Sequence, residues 1–326
     1  MRRTRLFAAS GLLLLLLALA ACGTTGPSFD TAFPFMYLQD IDTAAEPVAC
    51  DFMGSSGCAI VAAGTHIYFI DHDQGYVLAD VATETGNPLT DVCSTSEGGF
   101  AVGVAGQVLV YVSNDTYQLH DQISLGRTGL FLAAKPSGTV MWVVCGDGSV
   151  VTVSTVTWNI SNVAQTAVVS PAGAAVDASG SRLFVADASD STVKMLSTAG
   201  FSLLAQEDIP GGAADLCPDP AGGVWVACGS GQSPFELWHL DSGTGLHDGT
   251  VPLPGDPRCV AVTPDGAYFF TGLPQETLVL DPDGTVEASD DGNFSPASDM
   301  AICGDGQRTV VCRGGGYHQV FMLERL

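Results

Sequence analysis

The chain has 326 residues, 46% hydrophobic and 14% charged, with 39 Gly and 17 Pro. That composition is too apolar for a disordered chain, and its low charge and many turn residues exclude a coiled coil or a helical repeat array. The formal charge of −24 argues against a nucleic-acid binder, which needs a basic surface.

The N-terminus reads as an export address. Arg2, Arg3 and Arg5 precede an unbroken Leu12–Leu17 run, and small residues lead to Leu19-Ala20-Ala21-Cys22. A charged start, a short apolar core and a small-residue exit describe a secretory signal peptide. The Leu-Ala-Ala-Cys run resembles the lipobox of bacterial lipoproteins. The resemblance implies a signal over residues 1–21, lipidation of Cys22, and outer-membrane sorting where the host has two membranes, because Gly23 rather than Asp follows. Two or three acyl chains anchor stably where one is marginal. Residues 22–33 then form the lipidated cysteine and its tether, and 34–326 the body. Removing three arginines takes the formal charge to −27, so the body stands off an anionic bilayer.

The body repeats itself. In its clearest copy, Cys259–Thr263 leads through Pro264-Asp265-Gly266 into Tyr268–Thr271 and then Thr277–Asp281. With Thr263 as marker, the counterparts are Cys50, Cys93, Ala134, Asp177, Cys217 and Cys303, spaced 43, 41, 43, 40, 46 and 40 residues apart. Third strands recur in step, at His66–Asp71, Ser149–Ser154 and Thr192–Ser197 among others, and weaker fourth strands follow at Tyr76–Val81 and Phe201–Gln206. Four short antiparallel strands per unit of about 42 residues predict an all-β, seven-bladed β-propeller. Too few residues follow Cys303 for a full last blade. The missing strand is expected at Phe35–Gln39, closing the ring.

The segments Val260–Gly272 (VAVTPDGAYFFTG) and Ala175–Leu196 (AVDASGSRLFVADASDSTVKML) resemble the YVTN family of bacterial propellers, related to the lactonase-type seven-bladed group. The likeness implies the blade fold, and the lactonase-type relatives imply lactone or ester hydrolysis. The motif specifies a blade rather than a reaction.

Nine cysteines follow Cys22, an odd number, in a chain addressed to a compartment where disulfides form. Alignment of the hairpins makes Cys50–Cys58 and Cys228–Cys259 candidate bridges, and the rest small inner-strand core residues. No Cys-x-x-Cys occurs, so a thiolate metal site is not expected. Asp71–Gly75 and Asp281–Thr285 have the look of calcium loops but lack the ligand set, and Asp-Gly turns explain them better. His66 and His318 occupy similar positions in the first and last units, with no local ligand pair. The four tryptophans are expected to pack between blades.

Asp91 and Asp215 share one repeat position, and Glu46 and Asp299 another. All four approach the axial channel where innermost strands begin and are candidate channel-mouth ligands, unless they bond backbone donors between blades. No catalytic constellation, cofactor motif or metal set appears. The reading is a non-catalytic binding or scaffold module tethered in the cell envelope through acylated Cys22, with a protein or glycan partner. The alternatives are a lactonase-type hydrolase at the channel mouth and an outer-membrane assembly factor.

Overall fold

The computed structural model describes residues 35–54, 58–95, 99–136, 138–290 and 293–325. The signal, Cys22 and the tether lie outside them. Among the described residues there are seven four-stranded antiparallel sheets and no helix long and apolar enough to cross a membrane. Six sheets are consecutive in the chain. The seventh pairs Ala297–Ile302, Arg308–Arg313 and Gln319–Arg325 with the N-terminal strand Phe35–Asp42, in the order that puts this first strand outermost. The predicted closure is therefore present, with Tyr37 opposite Leu323 and Ile41 opposite Val320. The strand runs three residues beyond the predicted Gln39, to Asp42, and a bulge at Tyr37/Gln39 bends it around the rim.

The hydrophobic core is not central. It is divided into seven clusters, and each mixes residues of two neighbouring blades. This follows from strand alternation: the second and third strands are apolar on both faces, as Ala-Ile-Val-Ala-Ala of the first blade shows, so each face must be covered by another sheet. Outer strands such as Gln118–Ser124 alternate towards solvent and are mostly polar. The tryptophans obey the same rule. Trp142 is buried between the third and fourth blades, and Trp158 stacks on Tyr111 at 3.7 Å between the second and third.

One hydrogen bond fixes the true repeat. The residue that ends each innermost strand donates its amide to the carbonyl that opens the second strand: Met53 to Cys58, Thr95 to Phe100, Lys135 to Val140, Asp177 to Arg182, Asp219 to Gly223, Thr263 to Tyr268 and Cys303 to Arg308. These positions are 42, 40, 42, 42, 44 and 40 residues apart, a tighter period than the sequence markers gave. The markers at Cys50, Cys93, Ala134 and Cys217 sit one to three residues early, because bulges near the start of several innermost strands and unequal turns displace the apolar run from the hairpin.

The corrected register overturns both proposed disulfides. Cys50 lies opposite Val61, whereas Cys58 lies beyond the last strand pair and faces Met53. Cys50 points into the cluster shared with the seventh blade and Cys58 into the one shared with the second, on opposite faces of their sheet. Cys228 packs between the fourth and fifth blades, Cys259 between the sixth and seventh. Each pair is thus separated by at least one sheet, and all nine described cysteines are buried.

Candidate functional site

Seven innermost strands surround an axial cavity of about 630 Å³. Its wall is built from small residues, including Ala133, Ala174, Ala214, Ala261 and Ala301, because converging strands leave little room for side chains at the axis. Arg258 stands at the mouth where innermost strands begin; Lys135 and Asp219 stand where they end.

Set into this wall are Asp51, Asp91, Asp215 and Asp299. In the hydrogen-bond register, Asp91, Asp215 and Asp299 fall four residues before Thr95, Asp219 and Cys303, so the three are one structural position. The sequence reading put Asp299 in a different class from the other two only because its marker was differently placed. Glu46 does not join them. It precedes the innermost strand Pro47–Phe52 and is not part of the cavity wall. Asp51 does join, two residues deeper than the shared position, where every other blade carries Cys or Ala, so no acidic recurrence in the sequence marks it.

Each carboxylate makes the same two bonds. One oxygen accepts the next amide of its own strand: Phe52, Val92 and Leu216 at 2.7 Å and Met300 at 2.8 Å. The other crosses to the next blade, accepting from Ser94 at 2.7 Å, Leu132 at 2.6 Å, Val260 at 2.9 Å and Cys50 at 2.7 Å. Four of the seven blade junctions are stapled in this way. Burial lifts all four carboxyls against the opposing pull of those amides, Asp91 to about 7 and Asp215 to about 6, and neighbouring carboxylates push Asp91 and Asp299 further up. Near neutral pH the girdle therefore holds protons as well as charge. Cys50, Cys93 and Cys217 also line the wall, but burial pushes each thiol well above its ordinary value, which removes their nucleophilic form.

The remaining candidates resolve into turns and local pairs. Asp71 Oδ1 accepts from the amides of Asp73 and Gln74, and Asp281 Oδ1 from those of Asp283 and Thr285. Asp71, His72 and Asp73 bring ligand-type atoms within 4.8 Å of one another, yet the Arg308 guanidinium, 3.7 Å from Asp73, already balances that corner. His66 pairs with Asp80 at 2.5 Å, and neither it nor His318 belongs to a ligand cluster among the described residues. His239 is the most constrained imidazole, held between Asp248 at 2.5 Å and Asp219 at 3.1 Å, with Trp225 against its ring. Nothing in the spacing of these residues announced that arrangement.

No family model and no curated protein matches this sequence. Among solved structures, a chain of the mitotic checkpoint complex superposes with a TM-score of 0.76 at 13% identity, over 92% of this chain and 98% of that one. A chain of Kuenenia stuttgartiensis hydrazine synthase gives 0.72 at 15% identity, over 87% and 97%. At such identities the likeness defines a class, the seven-bladed β-propeller, and the class includes both an assembly subunit and an enzyme component.

Proposed function

We propose that this chain is an exported, lipid-anchored propeller that acts as a non-catalytic binding or scaffold module of the cell envelope. The observation that carries the non-catalytic part is the girdle: each of its four carboxylates spends one oxygen on its own strand and the other on the next blade. A general base must point an oxygen at its substrate, and here both oxygens of each acid are held by backbone amides. The resemblance of Val260–Gly272 and Ala175–Leu196 to YVTN propellers supports the blade architecture, since both segments lie on blade hairpins. The checkpoint-complex chain supports a partner-binding role by analogy of fold. The anchor rests on the Leu-Ala-Ala-Cys motif, and the partner is a protein or glycan of the envelope.

The test has two arms in the native host. Labelled fatty acid should enter the wild-type chain and not C22A, and the variant should leave the membrane fraction. Mild crosslinking should capture the same envelope partner with wild type, D91N and D215N. Lactone or ester turnover by the purified chain that disappears in D91N or D215N would overturn the scaffold reading.

A further inference from the structure

The junction where the ring closes contains two cysteines in one cluster. Cys50, on the innermost strand of the first blade, faces back to the seventh; Cys312, on the second strand of the seventh, faces forward. Cys312 lies directly opposite Asp299, and Asp299 Oδ2 accepts the Cys50 amide at 2.7 Å, which pins the Cys50 backbone beside that pair. Cys50 Sγ is 3.9 Å from the carbonyl oxygen of Val310, two residues before Cys312 on the same strand, and beside burial it is the neighbouring Cys312 side chain that pushes the Cys50 thiol up. Strand alternation thus brings together two sulfurs that stand near opposite ends of the described chain.

We propose that Cys50 and Cys312 are joined by a disulfide as the ring closes, so that the exported wheel is fastened twice: by the N-terminal strand at its rim and by a covalent bond near its axis. The proposal rests on the export reading, because only an oxidising compartment sustains the bond. The oxidant is a protein dithiol–disulfide of the compartment. One cysteine thiolate attacks its disulfide and expels one oxidant thiolate; the second cysteine thiolate attacks the mixed disulfide at the first cysteine's sulfur and expels the other. Two electrons pass to the oxidant, two protons leave the cysteines, and one S–S bond is formed for one broken. In the closed wheel both sulfurs are out of solvent, so exchange belongs to assembly, before the first and seventh blades seal. A bond enclosing nearly the whole ring removes more freedom from the unfolded chain than a local hairpin bridge would.

The full-length chain, exported in a host with an oxidising envelope, should give one linked peptide pair containing Cys50 and Cys312 after digestion without reductant. Reduction should lower its unfolding temperature by about 5 °C or more. In C50A and C312A that linked pair and the reductant effect should vanish, while C58A and C259A should keep both. Refolding the unfolded full-length chain in a glutathione redox buffer should produce the same link without any host. If the protein carries acylated Cys22 but neither route gives the link, or the link joins other cysteines, the proposal fails and export stands. If refolding gives the link but the cell retains an unacylated, reduced chain, export fails and the geometric pairing stands.

Discussion

Two side-chain clusters show how polar groups survive inside this fold. Lys194 is buried between the fourth blade and the preceding linker, 2.6 Å from Asp187, 2.9 Å from Asp190 and 3.1 Å from the Ala167 carbonyl. Burial alone would raise Asp187, but Lys194, the Ser189 hydroxyl and the amides of Val169 and Ser170 outweigh it and hold the carboxyl well below its usual range. Replacing Lys194 by Met leaves that carboxylate without its cation, and the expected loss is roughly 3–5 kcal/mol in urea unfolding at neutral pH. His239 inverts the case. Burial pulls it down, yet Asp219 and Asp248 carry it from 6.5 up to about 9. H239Q is expected to cost roughly 2 kcal/mol at pH 6 and little above pH 9, and the wild-type imidazole should titrate near the upper value by NMR. The repeat did not reveal this cluster, since it depends on one loop, Asp219–Gly223, that is shorter than its counterparts.

At the scale of the strand, the sequence was most legible where one element does one job. The third strands Ser149–Ser154 and Thr192–Ser197 have the bounds expected of them, because a run buried on both faces is mostly apolar, Lys194 with its acidic partners excepted, and ends at polar turns. The innermost strands were less legible. They are short, rich in Ala, Gly and Cys, and in several blades bulged near their start, so the apolar pattern does not say which residue sits at a given height. That is why the apolar pattern separates Asp299 from Asp91, brings in Glu46, and sets Cys58 across from Cys50 although the two point to opposite faces. The outermost strand of the last blade was found by counting what the C-terminus lacked, and its packing explains why it stays. Phe35 is 2% exposed and meets the rings of Phe270 at 4.8 Å and Tyr268 at 6.0 Å, so the closing strand also grips the sixth blade. F35A should therefore destabilise by about 3–5 kcal/mol, and increase aggregation on heating as the edge of Gln319–Arg325 opens. Unchanged light scattering with a lowered midpoint would mean that closure survives without this contact.

The whole molecule combines these groups into one pH profile. With a sequence pI near 4.1, repulsion among its acids grows steadily above that pH. The girdle acts in the same direction: Asp91 and Asp215 bind protons more tightly folded than unfolded, so their contribution is full near the ordinary 3.8 and lost as pH rises through about 6 to 7. His239 contributes below 6.5 and loses its share as pH rises through about 9. On the acid side the sign reverses. Asp187 sits well below its usual range and Asp265, bound by Thr263 and Arg325, is lowered to about 2, so both stabilise above the unfolded value and fail as pH falls beneath it. Stability should therefore peak at about pH 4–6, lower than the range common among globular proteins. Urea midpoints measured from pH 3 to 9 read this directly. D91N, which mimics the protonated acid, should flatten the limb between about pH 4 and 7, and H239Q the limb between about 6.5 and 9. A maximum above pH 7 in the wild type would show that the blade-to-blade amide bonds keep the girdle ionised, and would make the staples a source of charge stabilisation rather than a proton store.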